Sequence, residues 1–327
     1  MVHLRIVVPP ERAEAVLDYL LGCASVINIV HLAAASRRPD GDVILCDVAR
    51  EDASVILGEL RRLGVHREGS IAAETVDVAL SELAEAAEKS AAGSPADAVI
   101  WEELTSKTSE SAELSATFLT FIVIAGLIAG IGVLLDSPIL IVGAMVVGPE
   151  FGPVAGFCVA AVQRRPRLAA RSFAALAVGF PALMLTTWLA TLLGKALGIA
   201  PGEFDMAGHS LAATIASPDW FAAIVGFLAG VVGMLSLSTA KSGALIGVLI
   251  SVTTVPAAAN VGVALAYGDG SQAVGSLKTL LLNLAMILLG GLLTLSLQRW
   301  AFLRRRAQHR RGPRAVAVPH ARQRERV

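Results

Sequence analysis

The sequence predicts a polytopic α-helical membrane protein, with six transmembrane helices in a 3+3 inverted repeat and an N-terminal soluble α+β domain. The chain has 327 residues and is 55% hydrophobic, which is too apolar for one soluble domain of this length. After residue 115 the apolar residues gather into stretches near the roughly 20 residues that cross a bilayer. These changes along the chain give the predicted domain bounds 1–90, 91–115, 116–298 and 299–327.

Residues 1–90 have the element pattern of a ferredoxin-like βαββαβ domain in the cytosol. Leu4, Ile6 and Val8 recur at every second position, as in a strand with one buried face. Two later stretches carry apolar residues at helical spacing, and each is followed by a glycine that stops the helix. The order strand, helix, strand, strand, helix, strand matches the split βαβ plan and covers residues 4–8, 11–21, 26–32, 43–48, 51–63 and 71–78.

Residues 91–115 are predicted to be a linker that leads into a helix on the membrane surface. Ser94 has the position of a helix cap, with Pro95 in the first turn. At the other end of the chain, residues 299–327 form an arginine-rich tail that we expect to be disordered. Because this tail directly follows a membrane span, its predicted partner is anionic lipid head groups and not nucleic acid.

The distribution of charge orients the predicted spans. Arginine or lysine follows the second, fourth and sixth spans, whereas the other loops are mainly acidic. Since cytoplasmic loops carry the excess of positive residues, both termini are placed in the cytoplasm of a multi-pass protein of the cell membrane. The six spans are residues 116–135, 139–162, 173–193, 220–237, 243–267 and 277–297.

The two halves of the membrane region resemble each other at a spacing near 103 residues. Phe118 corresponds to Phe221, and the Ala-Gly-Leu-Ile at residues 125–128 resembles the Ala-Gly-Val-Val at residues 229–232. Three spans separate equivalent points, so the second half enters the membrane from the opposite side. This pattern is typical of an inverted repeat with discontinuous helices in matching positions.

The second span combines two glycine–proline pairs with a carboxylate, and it forms one half of the candidate site. Proline lacks an N–H and clashes with the preceding turn, so Gly148-Pro149 and Gly152-Pro153 are predicted to interrupt the helix. Backbone groups freed at membrane depth need protein or water as partners. A charge is costly in lipid, so Glu150 is predicted to face the bundle interior or water.

The fifth span supplies the other half of the candidate site. Pro256 frees a backbone carbonyl, and Thr253, Thr254 and Asn260 place polar side chains near the same depth. If the halves pack about a pseudo-twofold axis, this cluster meets Glu150 at the bundle centre. An alternative stays open, in which Thr and Asn tie helices together through hydrogen bonds and Gly and Pro only shape the packing.

The sequence lacks the motifs of common enzyme classes. It contains no G-x-x-x-x-G-K-[ST], G-x-S-x-G or H-E-x-x-H pattern. Its cysteines, Cys23, Cys46 and Cys158, are scattered and form no C-x-x-C pair. We therefore expect no enzymatic activity, no cofactor and no metal site.

The glycine and proline spacing of the second span resembles that of a known family. The motif G-A-M-x-x-x-P-x-x-G-P at residues 143–153 is similar to that of the uncharacterised hydrophobic domain family of bacterial and archaeal membrane proteins, and D-S-P at 136–138 and T-T-V-P at 253–256 also fit. The likeness covers roughly residues 118–297 and implies the membrane architecture, without a substrate or activity. That family usually has an apolar residue where this chain has Glu150, so the carboxylate is not a family-wide ion ligand.

Two functions are consistent with these features. The first is a secondary transporter or channel-like protein for an unknown small solute or ion, with its site at the broken second and fifth spans. The second is a membrane-anchored regulator or scaffold whose N-terminal domain senses a ligand or mediates oligomerisation. The lipid bilayer is a partner in both, and homo-oligomerisation is left open. Transport requires a hydrated path, whereas a scaffold has a dry interior.

Reporter fusions test the predicted orientation. A fusion at Pro313 should report the cytoplasmic side and a fusion at Gly270 the opposite side, because the positive residues flank the second, fourth and sixth spans. A pair of reporters, each active on only one side of the membrane, measures both positions. Periplasmic-type activity at Pro313, or cytoplasmic-type activity at Gly270, would contradict the topology.

Overall fold

The computed structural model describes residues 1–76, 81–91, 98–203, 209–239 and 253–309, with side chains as far as residue 304. The chain divides into two compact units. The first comprises Met1–Glu102 together with the chain from Ala301, and the second comprises Glu103–Trp300. All of the candidate site residues belong to the second unit.

The first unit contains a four-stranded antiparallel sheet. Its strands are β1 (Val2–Val8), β2 (Val26–Arg37), β3 (Asp40–Val48) and β4 (Ser70–Thr75). The order across the sheet is β2-β3-β1-β4, and β1 pairs antiparallel with both β3 and β4. Since β2 is also antiparallel to β3, β1 and β2 run in the same direction with β3 between them.

Helices supply the other half of the core of this unit. They are α1 (Pro10–Leu21), α2 (Arg50–Arg62), α3 (Val65–Glu68) and α4 (Glu82–Ser90). Leu4 and Ile6 of β1 share a fully buried cluster with Leu20 of α1 and with Ile56 and Leu60 of α2. Alternate residues of a strand point to opposite faces, so the even positions of β1 form the core, as their spacing predicts.

Some element bounds in this unit differ from the sequence prediction. β2 continues to Arg37, beyond the predicted end at residue 32, because it stays paired with β3 as far as Asp40. β4 ends at Thr75, and the last predicted residues of that strand lie outside the described residues. The proposed helix start at Ser94 also lies outside them, and the helix that follows begins at Trp101.

The second unit is built from helices. In chain order they are α5 (Trp101–Ser111), α6 (Ala116–Leu134), α7 (Pro138–Val147), α8 (Phe151–Gln163), α9 (Pro166–Ala196), α10 (Ser210–Ile215), α11 (Trp220–Ser238), α12 (Thr254–Ala266) and α13 (Gly270–His309). α5 and α13 extend beyond the bounds of this unit.

Several of these helices are long and apolar enough to cross a membrane. Four qualify singly, namely α6, α9, α11 and α13, and α7 with α8 qualifies as one bent span. α12 is a shorter apolar helix, and the first part of the predicted fifth span, residues 243–252, lies outside the described residues. Four to five candidate spans therefore indicate a multi-pass membrane protein, and the number six stays a prediction.

Glycines permit close helix packing in the second unit. A Cβ added at Gly126 of α6 would overlap the side chain of Leu183 of α9. One added at Gly230 of α11 would overlap the backbone carbonyl oxygen of Ile287 of α13. Small residues allow membrane helices to approach in this way. Each glycine belongs to a Gly-x-x-x-Gly pair, residues 126 and 130 in α6 and residues 226 and 230 in α11, and both pairs lie at helix contacts.

Asp136, in the loop between α6 and α7, holds the start of α10. Its Oδ1 accepts a hydrogen bond from the Leu211 N–H and its Oδ2 accepts one from Ser210 Oγ, both at 2.9 Å. The first N–H groups of a helix have no intrahelical partner, so the carboxylate satisfies one of them. The Leu211 N–H, followed by the Ser210 hydroxyl, holds the pKa of Asp136 below its ordinary value.

Alanine in place of Gly230 should destabilise the second unit. The added methyl group would meet the Ile287 backbone, and overpacking of this kind costs about 1–3 kcal/mol. Gly143→Ala is the matched control, because a Cβ there meets nothing within 4 Å. Thermal unfolding in detergent should give a lower midpoint for Gly230→Ala and a midpoint at or above wild type for Gly143→Ala. Equal midpoints for the two variants would contradict the close approach of α11 and α13.

Candidate functional site

The second apolar span is broken between α7 and α8. α7 ends at Val147 and α8 begins at Phe151, and the two helices are bent by 48°. In an unbroken helix the Met145 carbonyl would accept a hydrogen bond from the N–H at position 149, and Pro149 has none. The break therefore lies at Gly148-Pro149-Glu150, at the first of the two predicted glycine–proline pairs.

The second predicted interruption, at Gly152-Pro153, is wrong. Pro153 lies in the first turn of α8, where a proline removes no intrahelical hydrogen bond because the first N–H groups of a helix have no partner within it. Pro256 has the same position in the first turn of α12. Both prolines therefore lie where a helix begins, and the part of the predicted fifth span that precedes α12, residues 243–252, lies outside the described residues.

Glu150 lies in the break and faces the second half of the unit. Its side chain is 5% exposed. Oε1 accepts a hydrogen bond from Thr254 Oγ1 at 2.8 Å, and Thr254 is the fully buried first residue of α12. Oε2 is buried without a hydrogen-bond partner among the residues that the structure describes. The carboxyl group thus joins the break in the second span to the start of α12, as the sequence predicts for Glu150 and Thr254.

Gly148 leaves the space that the carboxyl group occupies. A Cβ built on Gly148 would overlap Glu150 Oε2 and would lie 2.9 Å from Cγ2 of Val255. Any side chain at this position therefore displaces either the carboxyl group or α12. Because Gly148 has no side chain, the Glu150 carboxyl group has room beside it.

Thr253 ties the start of α12 to α13 and does not contact Glu150 through a hydrogen bond. Its Oγ1 accepts a hydrogen bond from Asn283 Nδ2 at 2.7 Å. Asn283 is 2% exposed, and its Oδ1 has no partner in the described part of the chain. An amide within an apolar span is the sequence signal for such a residue, and the contact of Asn283 with Thr253 links two helices.

Asn260 belongs to a separate polar contact. Its Nδ2 donates to Ser276 Oγ at 2.8 Å and to the Ala212 carbonyl oxygen at 3.2 Å. Asn260 lies six residues beyond Thr254 on α12, which is about 9 Å along the helix axis. The structure therefore separates Asn260 from Glu150, and its observed contacts are those of a residue that links helices.

Gly152 and Gly156 of α8 pack against the end of α5. A Cβ on Gly152 would lie 2.7 Å from the Ser111 carbonyl oxygen, and one on Gly156 would lie 2.8 Å from the Ala112 Cβ. The pair has the small-xxx-small spacing that brings helices close together. Gly152 thus has a packing role that lets α5 cover the first turn of α8.

A cavity of about 380 Å³ lies on the α5 side of the break, within the size range of small-molecule sites. Its lining combines charged side chains from α5 and the following loop, aromatic rings, and the backbone of the break. The residues that matter for access to the break are Lys107, Glu110, Glu113, Phe121, Gly148 and Pro149. Glu150 itself does not line the cavity, but Gly148, which does, is in contact with the position of Oε2.

Comparison with known proteins agrees with the family resemblance. Residues 145–289 match the family model described as a domain of unknown function, DUF389. An uncharacterised protein of Methanocaldococcus jannaschii is 25% identical over 198 residues, which cover 61% of this chain and 59% of that protein. This chain thus spans less than two thirds of the relative. No solved structure gives a significant match.

Removing the Thr254 hydroxyl should weaken the junction between α8 and α12. Thr254→Val keeps the shape of the side chain and leaves Glu150 Oε1 without its donor, and an unsatisfied buried polar group costs about 1–3 kcal/mol. Thr254→Ser is the matched control, because it keeps the hydroxyl and loses a methyl group. Thermal unfolding in detergent should give a lower midpoint for Thr254→Val than for Thr254→Ser. The reverse order would mean that packing by the methyl group, and not the hydrogen bond, holds the junction.

Proposed function

We propose that this protein, which carries a DUF389 domain at residues 145–289, is a secondary transporter or channel-like protein for a small solute or ion. The observation that carries the proposal is the hydrogen bond between Glu150 and Thr254, which joins the starts of α8 and α12. Helix N-termini carry partial positive charge. Discontinuous helices whose ends meet inside the membrane form the binding sites of many transporters.

An inverted repeat is the architectural part of the proposal, and matching helix positions support it. α6 and α11 have 19 residues each and begin 104 residues apart, after the side-chain caps Ser115 and Asp219. α8 and α12 have 13 residues each, and α9 and α13 begin 104 residues apart. α12 begins one residue earlier than this spacing requires, which is ordinary for helix ends.

Contacts between helices recur at the same spacing. The contact of Gly126 with Leu183 corresponds to that of Gly230 with Ile287, since both members of the pair are displaced by 104 residues. In a second pair of corresponding contacts, the small and the large residue exchange places between the two halves. The Cβ position of Gly130 lies 2.7 Å from Thr187 Cγ2, and at the corresponding places the Cβ position of Gly291 lies 3.1 Å from Met234 Cγ.

The turns that follow α8 and α12 also correspond. Arg164 and Gly268, 104 residues apart, both have positive φ, at 57° and 75°. The next residue in each turn, Arg165 or Asp269, donates its N–H to a carbonyl oxygen five residues earlier, at 2.8 and 3.0 Å. One turn carries arginines and the other an aspartate, as expected if the two turns lie on opposite sides of a membrane.

The repeat extends to the short helices that precede each set of spans. α5 ends at Ser111 and α10 ends at Ile215, again 104 residues apart. Asn260 of α12 hydrogen-bonds Ala212 of α10 and Ser276 of α13. The residue of α8 that corresponds to Asn260 is Gly156. Its Cβ position lies 3.2 Å from the Thr108 carbonyl oxygen and 2.7 Å from Ser172 Oγ, and these two residues correspond to Ala212 and Ser276.

The spacing of 104 residues also relates the two residues of the Glu150 contact to each other. Thr254 lies 104 residues after Glu150, so the two residues that form the hydrogen bond are counterparts of each other. A contact between counterparts lies on the axis that relates the two halves. The proposed site is therefore on the pseudo-twofold axis, where inverted-repeat transporters bind their substrates.

The remaining parts of the proposal concern topology and partners. Six spans with both termini in the cytoplasm of the cell membrane follow from the charge pattern, and the strand order of the first unit supports a ferredoxin-like domain. The lipid bilayer and the unknown solute are the proposed partners. The basic tail is proposed to bind anionic lipid, no nucleic acid partner is proposed, and no enzymatic role is assigned.

A membrane-anchored regulator or scaffold is the second candidate, and one observation favours it. Thr254 and Asn260 are fully buried and Glu150 is 5% exposed, so water does not reach the meeting point of the broken segments in this conformation. A scaffold has such an interior permanently. In the proposed transporter, the same packing is the closed stage of alternating access.

Flux measurements in proteoliposomes distinguish the two functions. Wild-type protein should move at least one member of a panel of ions and small solutes faster than empty liposomes do. Gly148→Ala should reduce this flux to the level of empty liposomes, because the new methyl group overlaps the Glu150 carboxyl group and contacts Val255. Absence of flux for the whole panel, with folded wild-type protein inserted in both orientations, would favour the regulator.

Gly143→Ala is the control for the flux measurement. It adds the same methyl group to the other half of the broken span, at a position where a Cβ meets nothing within 4 Å. It should therefore keep the wild-type flux. If both variants lose flux while remaining folded, the loss reflects the span in general, and the site at the break is not supported.

A further inference from the structure

We propose that Glu150 binds a proton, which reaches its Oε2 atom from the cavity on the α5 side of the break. The inference rests on the proposed function for its role in transport, because it names the ion that the site on the axis takes. The binding of the proton itself is a separate property and has a separate measurement.

The two oxygen atoms of Glu150 have different surroundings. Oε1 accepts the hydrogen of Thr254 Oγ1 at 2.8 Å, whereas Oε2 is buried and has no partner among the described residues. A buried acceptor without a donor is unfavourable, and a buried carboxylate without a positive partner is more so. A proton on Oε2 removes the charge and leaves the hydrogen bond to Oε1 intact.

The helices that surround Glu150 bring no positively charged side chain to it. α6, α7 and α12 contain no acidic or basic residue, and α8 contains only the thiol of Cys158. Among the described residues, no ion pair joins Glu150 to another group, and its one side-chain hydrogen bond is to Thr254. On α5, the loop after it, α9 and α13, the charged side chains inside the second unit are Glu103, Lys107, Glu110, Glu113, Arg167, Arg171, Lys195, Lys278 and Arg299.

The oxygen atoms near Glu150 do not suit a metal ion. Hard cations such as Ca²⁺ or Mg²⁺ take about six oxygen ligands. The Thr254 hydroxyl already donates to Oε1, and the Thr253 hydroxyl accepts from Asn283. Within the described residues no group of three or more His, Cys, Asp or Glu side chains is placed to hold a metal. A proton needs one oxygen lone pair, which Oε2 has.

The cavity gives the proton a route. Gly148 and Pro149 line the cavity, and Glu150 Oε2 lies directly against Gly148. Gly148 has no side chain to close the gap, so a small displacement of the break opens Oε2 to water in the cavity. Glu110 and Glu113 line the same cavity together with Lys107. Because Lys107 is paired with Glu103 at 2.6 Å, the two carboxylates favour cations within the cavity.

The proton transfer is balanced without any further reactant. A hydronium ion in the cavity gives one proton to Oε2, which leaves a water molecule and converts the carboxylate into a neutral carboxylic acid. Oε1 keeps the hydrogen bond from Thr254 throughout. Release is the reverse step, with water as the proton acceptor.

Infrared difference spectroscopy of the full-length protein in lipid tests the protonation. At neutral pH, the spectrum of wild type minus Glu150→Gln should show the carbonyl band of a protonated carboxylic acid. The control difference, wild type minus Glu82→Gln, should show carboxylate bands, because Glu82 is an exposed residue of α4. Carboxylate bands in the Glu150 difference would overturn the proposal, as would loss of the acid band when sodium, calcium or magnesium salts are added.

Proton flux into the same lipid vesicles, followed with an internal pH dye, tests the transport role. Wild type and Glu82→Gln should acidify the vesicles under an inward proton gradient, and Glu150→Gln should lose this flux. If Glu150→Gln keeps the flux, the proton route through Glu150 is wrong. If the acid band is present and no solute or proton moves, the proton site stands and the proposed transport fails.

Discussion

The break in the second span is the constraint on which the rest of the membrane unit depends. Pro149 ends α7, and lipid offers no hydrogen bonds to the backbone groups that this frees. The break must therefore be buried in protein. α12 covers it through Thr254 and Val255, and α5 with the residue after it covers the first two turns of α8 through the glycines at residues 152 and 156. Both helices approach the break closely because glycines, which have no side chain, lie at the points of contact.

Close packing also explains why the proposed repeat is weak in sequence although helix contacts recur at a spacing of 104 residues. Helix packing conserves the total volume at a contact and not the identity of each residue. Gly130 with Thr187 and Met234 with Gly291 fill equivalent places with the large and small partners exchanged. A comparison of single residues scores such a pair as two mismatches. Only the contact, which the sequence does not display, retains the correspondence.

The features that follow from local pattern were predictable, and those set by distant contacts were not. The alternation of Leu4 and Ile6 gave the buried face of β1, and the missing N–H of Pro149 gave the break. Pro153 was placed wrongly because its effect depends on where the helix begins, which is decided by the break before it. The partners of Asn260, which lie 48 and 16 residues away, have no local signature.

The proposed position of Glu150 on a pseudo-twofold axis gives a reason for the asymmetry of the site. Two carboxylates in contact would repel each other and one would be forced to take a proton, whereas a carboxyl group facing a hydroxyl forms one hydrogen bond at 2.8 Å. An acid on one side of the axis and a threonine on the other therefore keeps a single ionisable group at the centre. In an inverted repeat the two halves exchange conformations when access changes sides. In the proposed transporter, a group on the axis would stay at the centre in both states, so a proton bound there would change its exposure without moving.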